Sequence, residues 1–243
     1  MRWRLIDTDI EDPFYVTAAD EAIAQARKYN KTPNTLHLYR RDPPAISIGR
    51  FRKIHEDINL NECIKNNVKI VRRTTGGGTI YTDKECLIYS LIFNKEDTNL
   101  SLHTPQEIFE KICHSIINAL KKLDIHTTYK PPNDILLNGK KISGSAQIKK
   151  DNIILIHGTI LVNTNLNMMN KLLKKTKKNL VTTIKKECKN TPSIKDLKKT
   201  LKEEFEKCFN TKIKKTSLTR YETQLITELI NKKYGTDKWN LMR

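Results

Sequence analysis

The run Arg72-Arg73-Thr74-Thr75-Gly76-Gly77-Gly78-Thr79-Ile80-Tyr81-Thr82-Asp83 constrains this chain more than any other stretch. Three consecutive glycines carry no Cβ, so the backbone can reach positive φ and a ligand can approach the main chain closely. The run is entropically costly, and a plain turn rarely needs three. The two arginines just upstream can give forked, charge-assisted hydrogen bonds to a carboxylate or phosphate. Together these residues describe an anion site. The common nucleotide loops do not fit, because a Walker loop needs Gly-x4-Gly-Lys-Ser/Thr, a dinucleotide fingerprint needs Gly-x-Gly-x-x-Gly, and both open a helix. Here Lys69-Ile70-Val71 leads in and Leu87-Ile88-Tyr89-Ser90-Leu91-Ile92-Phe93 leads out, both rich in strand formers. A glycine-rich hairpin connection is the plainest alternative.

The rest of the chain alternates strand and helix signals. Residues 3–7, 35–40 and 45–49 alternate with period two, the last two separated by Pro43-Pro44. Residues 17–26 are alanine-rich with acids in the first turns, and 59–67 form a short helix with Leu60, Cys63 and Ile64 on one side. Thr104-Pro105-Gln106-Glu107 opens a helix whose Ile108, Ile112, Ile116 and Leu120 share a face. Residues 193–210 and 218–234 have amphipathic helical spacing, with Thr219 and Glu222 placed for a capping box. The pattern predicts one α/β catalytic domain over 1–243, of which 165–243 is a mainly helical C-terminal part.

A second dense stretch is Asn133-Asp134-Ile135-Leu136-Leu137-Asn138-Gly139-Lys140-Lys141-Ile142-Ser143-Gly144-Ser145-Ala146-Gln147. Asn138-Gly139 between apolar alternating runs marks a hairpin. Lys141 follows the turn, and the small residues after it leave room for a ligand. His157-Gly158 interrupts the long strand at 152–162, where a core histidine is the plain alternative to a functional one.

The formal charge is +18, which admits nucleic acid, anionic membranes and acidic proteins as partners. The lysines concentrate late in the chain, and no RNA- or DNA-binding motif accompanies them. The five cysteines are widely spaced without a Cys-x-x-Cys pair, so reduced thiols are expected rather than a zinc site or disulfide framework. No apolar run approaches the roughly 20 residues of a membrane span, and nothing resembles a signal peptide. A cytoplasmic protein is expected.

Taken together, the ordered motifs resemble the lipoate-protein ligase A family, within the group that also holds biotin ligases and octanoyltransferases. The arginine-glycine run, Asn133-Asp134 with Gly139-Lys140-Lys141-Ile142-Ser143-Gly144-Ser145-Ala146, the strand His157-Gly158-Thr159-Ile160-Leu161, and the ending Lys233-Tyr234 with Trp239-Asn240 are each similar to a family motif. The resemblance implies a mixed, largely antiparallel sheet flanked by helices. It also implies a reaction: lipoate and ATP give lipoyl-AMP, and a lysine of an acceptor protein takes the acyl group. It casts Lys141 as catalytic. Arg72, Arg73, Gly76, Gly77, Gly78, Thr79, Tyr81, Asp83, Asn133, Asp134, Ser143, Gly144, Ala146 and His157 are cast as binding residues, with Asp134 serving Mg²⁺. An apolar tunnel for the acyl tail is expected around Ile46, Ile70 and Tyr81. The implied partners are lipoate or octanoate, acidic acceptors such as lipoyl domains of 2-oxoacid dehydrogenases or the glycine-cleavage H protein, and a separate accessory polypeptide. No membrane or nucleic-acid partner is expected.

Two departures keep alternatives open. Thr82 stands where the ligase pattern has histidine, and Lys84-Glu85-Cys86-Leu87-Ile88-Tyr89-Ser90 is closer to the octanoyltransferase branch. That branch works through a cysteine shortly before the lysine motif, and this chain has none between 113 and 188. The ATP-dependent ligase is therefore the first expectation. An ATP-independent octanoyl or lipoyl transferase is the second, and a basic nucleic-acid-binding module the third.

Overall fold

The computed structural model describes residues 3–174 and 180–242. Among them the chain forms β1 (Trp3–Glu11), α1 (Pro13–Lys28), β2 (Asn34–Arg41), β3 (Ala45–Ile48), α2 (Ile54–Asp57), α3 (Leu60–Lys65), β4 (Lys69–Arg72), β5 (Thr79–Thr82) and β6 (Cys86–Asn94). It continues through α4 (Pro105–Lys121), β7 (Thr128–Lys130), β8 (Asp134–Leu137), β9 (Lys140–Lys150), β10 (Ile153–Leu161), α5 (Leu166–Leu172), α6 (Ile184–Glu187), α7 (Ile194–Cys208), β11 (Ile213–Lys215), α8 (Arg220–Leu229) and α9 (Asp237–Asn240). The strands make an eight-stranded sheet in the order β11-β1-β2-β6-β10-β9-β8-β7 and a three-stranded sheet in the order β4-β3-β5. Pairing is antiparallel except at β1–β11, β1–β2 and β3–β4.

The central strand β6 is apolar at both parities because helices cover both its faces. Leu87, Tyr89, Leu91 and Phe93 join Ile108, Ile112, Ile116 and Leu120 of α4 and Leu197, Leu201 and Phe205 of α7 in the main core. Ile92, at the other parity, packs with Ile23 of α1. The alanines Ala18, Ala19 and Ala22 let α1 lie close, with Ile226 of α8 and Tyr234 against them. Six apolar side chains of α1 are fully covered along one helical stripe: Val16, Ala18, Ala19, Ala22, Ile23 and Ala26.

Local chemistry sets the boundaries. Thr104 and Glu107 form a reciprocal capping box on α4, and Thr219 and Glu222 form another on α8. Asn138 and Gly139 both have positive φ, as a two-residue hairpin turn requires. α1 begins earlier than its alanine run suggests, because the Asp12 carboxylate accepts from Phe14 and Tyr15 N–H and Pro13 suits the first turn. A further strand, β5, follows the glycine run and pairs in the small sheet rather than with β6, and residues 54–57 form the short α2.

The Arg4 guanidinium makes two hydrogen bonds to Glu222, tying β1 to α8 with both side chains at most 5% exposed. Removing one partner strands the other charge in the interior. Glu222→Ala is expected to cost about 3–5 kcal/mol of unfolding free energy, read from the shift in a urea or guanidinium midpoint.

Candidate active site

The lysine motif and the glycine run meet at one cavity of about 750 Å³, enclosed by the large sheet on one side and β3, β5 and the 73–79 segment on the other. Arg73, Gly77, Gly78, Thr79, Asn133, Asp134, Lys141, Ser143, Gly144, Ala146 and His157 line it. Lys141 stands at the start of β9 and its Nζ lies 2.6 Å from Asp134 Oδ1 on β8. Glycine at 144 makes this pair possible: a Cβ there would lie 2.6 Å from both Lys141 Cε and Nζ. Asn133 donates its amide to the Ser145 carbonyl and accepts from Ser145 N–H, bracing the two strands beneath the lysine.

Arg73 shapes the glycine rim. Its Nη2 donates to the carbonyls of Gly76 at 2.8 Å and Gly78 at 2.6 Å, its Nη1 to the Ser47 carbonyl at 2.9 Å, and its Nε to Thr75 Oγ1 at 3.0 Å. Gly77 has φ +87°, and a Cβ there would meet Arg73 Nη2 at 3.1 Å and Ala146 Cβ at 3.4 Å. Burial, with the Arg41 cation adding to it, lowers the Arg73 guanidinium to about 10, which leaves it charged at neutral pH.

Arg72, Gly76, Tyr81 and Asp83 are not among the lining residues. Successive strand residues point to opposite sides, so Arg72 turns away from Arg73. It is fully buried and donates to the carbonyls of Gly49, Arg50, Arg52 and Met242. Asp83 accepts from Asn165 N–H and Glu85 N–H and so fixes the approach to α5. The same parity keeps Ile46, Ile70 and Tyr81, around which an apolar tunnel was expected, off the cavity lining. Ile46 is paired with Ile70 and Tyr81, and these side chains pack in a cluster with Ile48, Ile54 and Met169, of which Met169 also reaches the cavity. The neighbouring pair Ser47 and Ile80 faces the cavity instead. The apolar wall is Ile80, Ile88, Ile142, Leu161, Met169, Leu173, Leu180 and Val181.

Several lining residues carried no motif signal. Tyr39 and Arg41 come from β2, and Arg41 donates to Thr17 Oγ1 and to Thr82 Oγ1, the position where the ligase pattern has histidine. Asp57 of α2 takes two hydrogen bonds from Arg52 and one from Thr79 Oγ1 at 2.6 Å. The available hint was the set His37, Tyr39 and Arg41 on the parity of β2 opposite the core residues Leu36 and Leu38. None of the five cysteines lines the cavity: Cys63, Cys86 and Cys113 are buried, and Cys188 and Cys208 are half-buried. Burial raises the thiols of Cys63 to about 11 and Cys113 to about 12, and that of Cys86 further.

A short strap, residues 180–182, pairs with the backbone of Lys141. Lys141 N–H donates to the Leu180 carbonyl at 2.8 Å and Thr182 N–H to the Lys141 carbonyl at 2.9 Å. Glu187 anchors the strap to the hairpin, accepting from Thr182 Oγ1, Asn138 Nδ2 and Lys140 Nζ, and these bonds hold its carboxyl at about 2 against an ordinary 4.5.

The cavity thus joins an apolar wall, an ammonium and a side-chain-free rim on a mixed sheet. Residues 12–206 match the family described as lipoyl protein ligase A/B catalytic domain, and the chain belongs to that family of acyl ligases and transferases. It is similar to octanoyltransferase LipM of Halalkalibacterium halodurans, 28% identical with 99% of each chain covered, and that name recurs among its relatives in other bacteria. It is also similar to lipoate-protein ligase A subunit 1 of Thermoplasma acidophilum, 28% identical over 92% of this chain and 90% of that one. Among solved structures, a lipoate-protein ligase A bound with ATP superposes with a TM-score of 0.85, at 27% identity, over 99% of this chain and 98% of the other. Among the described residues no helix is long and apolar enough to cross a membrane, and no group of three or more His, Cys, Asp or Glu is arranged to hold a metal.

Two outcomes follow from this geometry. Gly144→Ala should displace the Lys141 ammonium from Asp134 and lower acyl transfer about a hundredfold, with circular dichroism unchanged. The Glu187 carboxyl is depressed in the fold, so its contribution is complete above the ordinary 4.5 and is lost as pH falls toward about 2. Hydrogen-exchange protection of the Lys141 and Thr182 amides should decline across that window while the α4 amides hold.

Proposed function

We propose that this chain activates a medium-chain carboxylate, lipoate or octanoate, as its adenylate and passes the acyl group to a lysine of an acidic acceptor protein. The observation that carries the reading is the Lys141 ammonium, held 2.6 Å from Asp134 on a cavity shared with the Gly77–Gly78 backbone and lined by no cysteine. In the first step a substrate carboxylate oxygen attacks the α-phosphorus of ATP, and the bond to pyrophosphate breaks. In the second the acceptor amine attacks the acyl carbon, the bond to AMP breaks, and the nitrogen loses a proton as the amide forms. Negative charge develops beside the acyl–phosphate junction in both steps, where a fixed ammonium is most effective.

The apolar wall suits the acyl tail, and Arg73 keeps the rim open for backbone N–H groups to meet the phosphate. Mg²⁺ keeps most of its water and takes phosphate oxygens with one or two carboxylates. Asp134 faces the cavity as such a carboxylate, and the ion would supply neutralisation of phosphate charge there. The positive surface suits acidic lipoyl-acceptor domains by complementarity, and the relative named subunit 1 supports a role for a separate accessory polypeptide.

Octanoyl transfer without nucleotide is the second reading. The recurrence of LipM among the relatives favours it over the adenylate route, whereas the placement of the cysteines speaks against a thioester on this chain. One assay separates the two. With lipoate, Mg-ATP, an acceptor domain and a partner subunit, pyrophosphate should appear and the acceptor should gain lipoyl mass. Lys141→Ala should lower both about 10²–10³-fold. Equal acylation from octanoyl-carrier protein with no nucleotide would sink the adenylate route.

A further inference from the structure

Three polar side chains interrupt the α1 face of the large sheet in a single row. His37 on β2 is in register with Ser90 on β6, and Ser90 with His157 on β10. Asp20 of α1, itself buried, closes over the row. Its Oδ1 lies 2.9 Å from His37 Nδ1. Its Oδ2 accepts from Ser90 Oγ at 2.6 Å and Tyr39 OH at 3.1 Å, and lies 3.3 Å from His157 Nδ1. Burial works against the Asp20 charge, but the hydrogen bonds from His157 and His37 outweigh it and hold the carboxyl below the usual range. An ionised carboxylate only accepts, so each histidine carries its proton on Nδ1.

That assignment gives a direction to everything downstream. His157 Nε2 is left as an acceptor and faces Thr75 Oγ1 at 2.8 Å, so the hydroxyl proton goes to the ring. The Thr75 oxygen then accepts from Arg73 Nε, and Arg73 Nη2 clamps the carbonyls of Gly76 and Gly78. An unbroken series of hydrogen bonds thus runs from α1 to the glycine rim.

We propose that Asp20 is a positioning residue of the acyl-transfer cavity: acting through His157 and Thr75, it orients Arg73 and thereby sets the shape of the rim. The inference rests on the reading of this cavity as the acyl-transfer site, by either donor. The charged and titratable groups around His157 are Asp20 from α1, His37, Tyr39 and Arg41 from β2, and Arg73 beyond β4. Burial lowers the His157 pKa below 6.5 against the pull of Asp20, with both arginines adding to the depression. The ring is therefore neutral at pH 7 and able to accept. Once protonated it carries N–H on both nitrogens, and Thr75 loses its acceptor.

The test pairs ¹⁵N NMR with transfer assays on the full chain. The wild-type His157 ring should carry its proton on Nδ1, and Asp20→Ala should move it to Nε2. Thr75→Val keeps shape but breaks the series beyond the ring. It should shift the Gly77 and Gly78 amide resonances and lower acyl transfer about a hundredfold while circular dichroism shows the protein still folded. Thr75→Ser should restore both. The wild-type rate should fall with pH below 6.5 on a limb that Thr75→Val removes. A wild-type proton on Nε2, or a folded Thr75→Val protein with wild-type transfer, overturns the proposal. A wild type inactive with every acyl donor would instead count against the acyl-transfer reading, and the tautomer and glycine resonances would still decide the relay.

Discussion

The cavity depends on one buried guanidinium. Arg73 spends its donors on the carbonyls of Ser47, Gly76 and Gly78 and the hydroxyl of Thr75, so it acts as a scaffold for the rim. A glycine run has little conformational preference of its own, and its entropy in the free chain is high. Carbonyls pinned from inside remove that freedom without adding a side chain to the ligand's side. Lysine could not substitute, since it lacks the planar fork that reaches several acceptors at once.

The large sheet gives this clamp a fixed place. Helices on both faces make β6 and β10 a rigid floor, and the small sheet hangs β4 and β5 on either side of the glycine run. Ala146 on β9 lies directly against the position a Gly77 Cβ would take, so floor and rim touch. Lys141 reaches the same space from the hairpin turn at Asn138-Gly139. Its aim is set by Asp134, by the missing Cβ at Gly144, and by the strap that Glu187 ties down.

Much of this was readable in advance. The capping box at Thr104 and Glu107, the hairpin at Asn138-Gly139 and the strand periodicity are local signals, set by chemistry within a few residues. What was not readable is which side of each strand faces the cavity. Alternation separates Arg72 from Arg73 and Ile46 from Ser47, but only the pairing of β3 with β4 and β5 decides which set looks inward. Arg72 and Tyr81 therefore sit away from the cavity, while Ser47, Ile80 and Arg41 line it. Asp20 escaped notice for a related reason. In the sequence it is an acid in the first turns of an alanine-rich helix, which helix-dipole preference explains well enough. Its partners, His37, Ser90 and His157, lie far off in the chain and converge only through strand register.

The seclusion of the sulfur atoms has a wider implication. Peroxide and electrophiles consume exposed thiolates first, and enzymes that acylate themselves on cysteine are disabled by the same chemistry. Here the thiols of Cys63, Cys86 and Cys113 are protonated and enclosed, and among the described residues the sulfur on the cavity wall is the Met169 thioether. Among the described residues an oxidant would find no thiol on this wall, only a thioether whose oxidation to the sulfoxide is reversible.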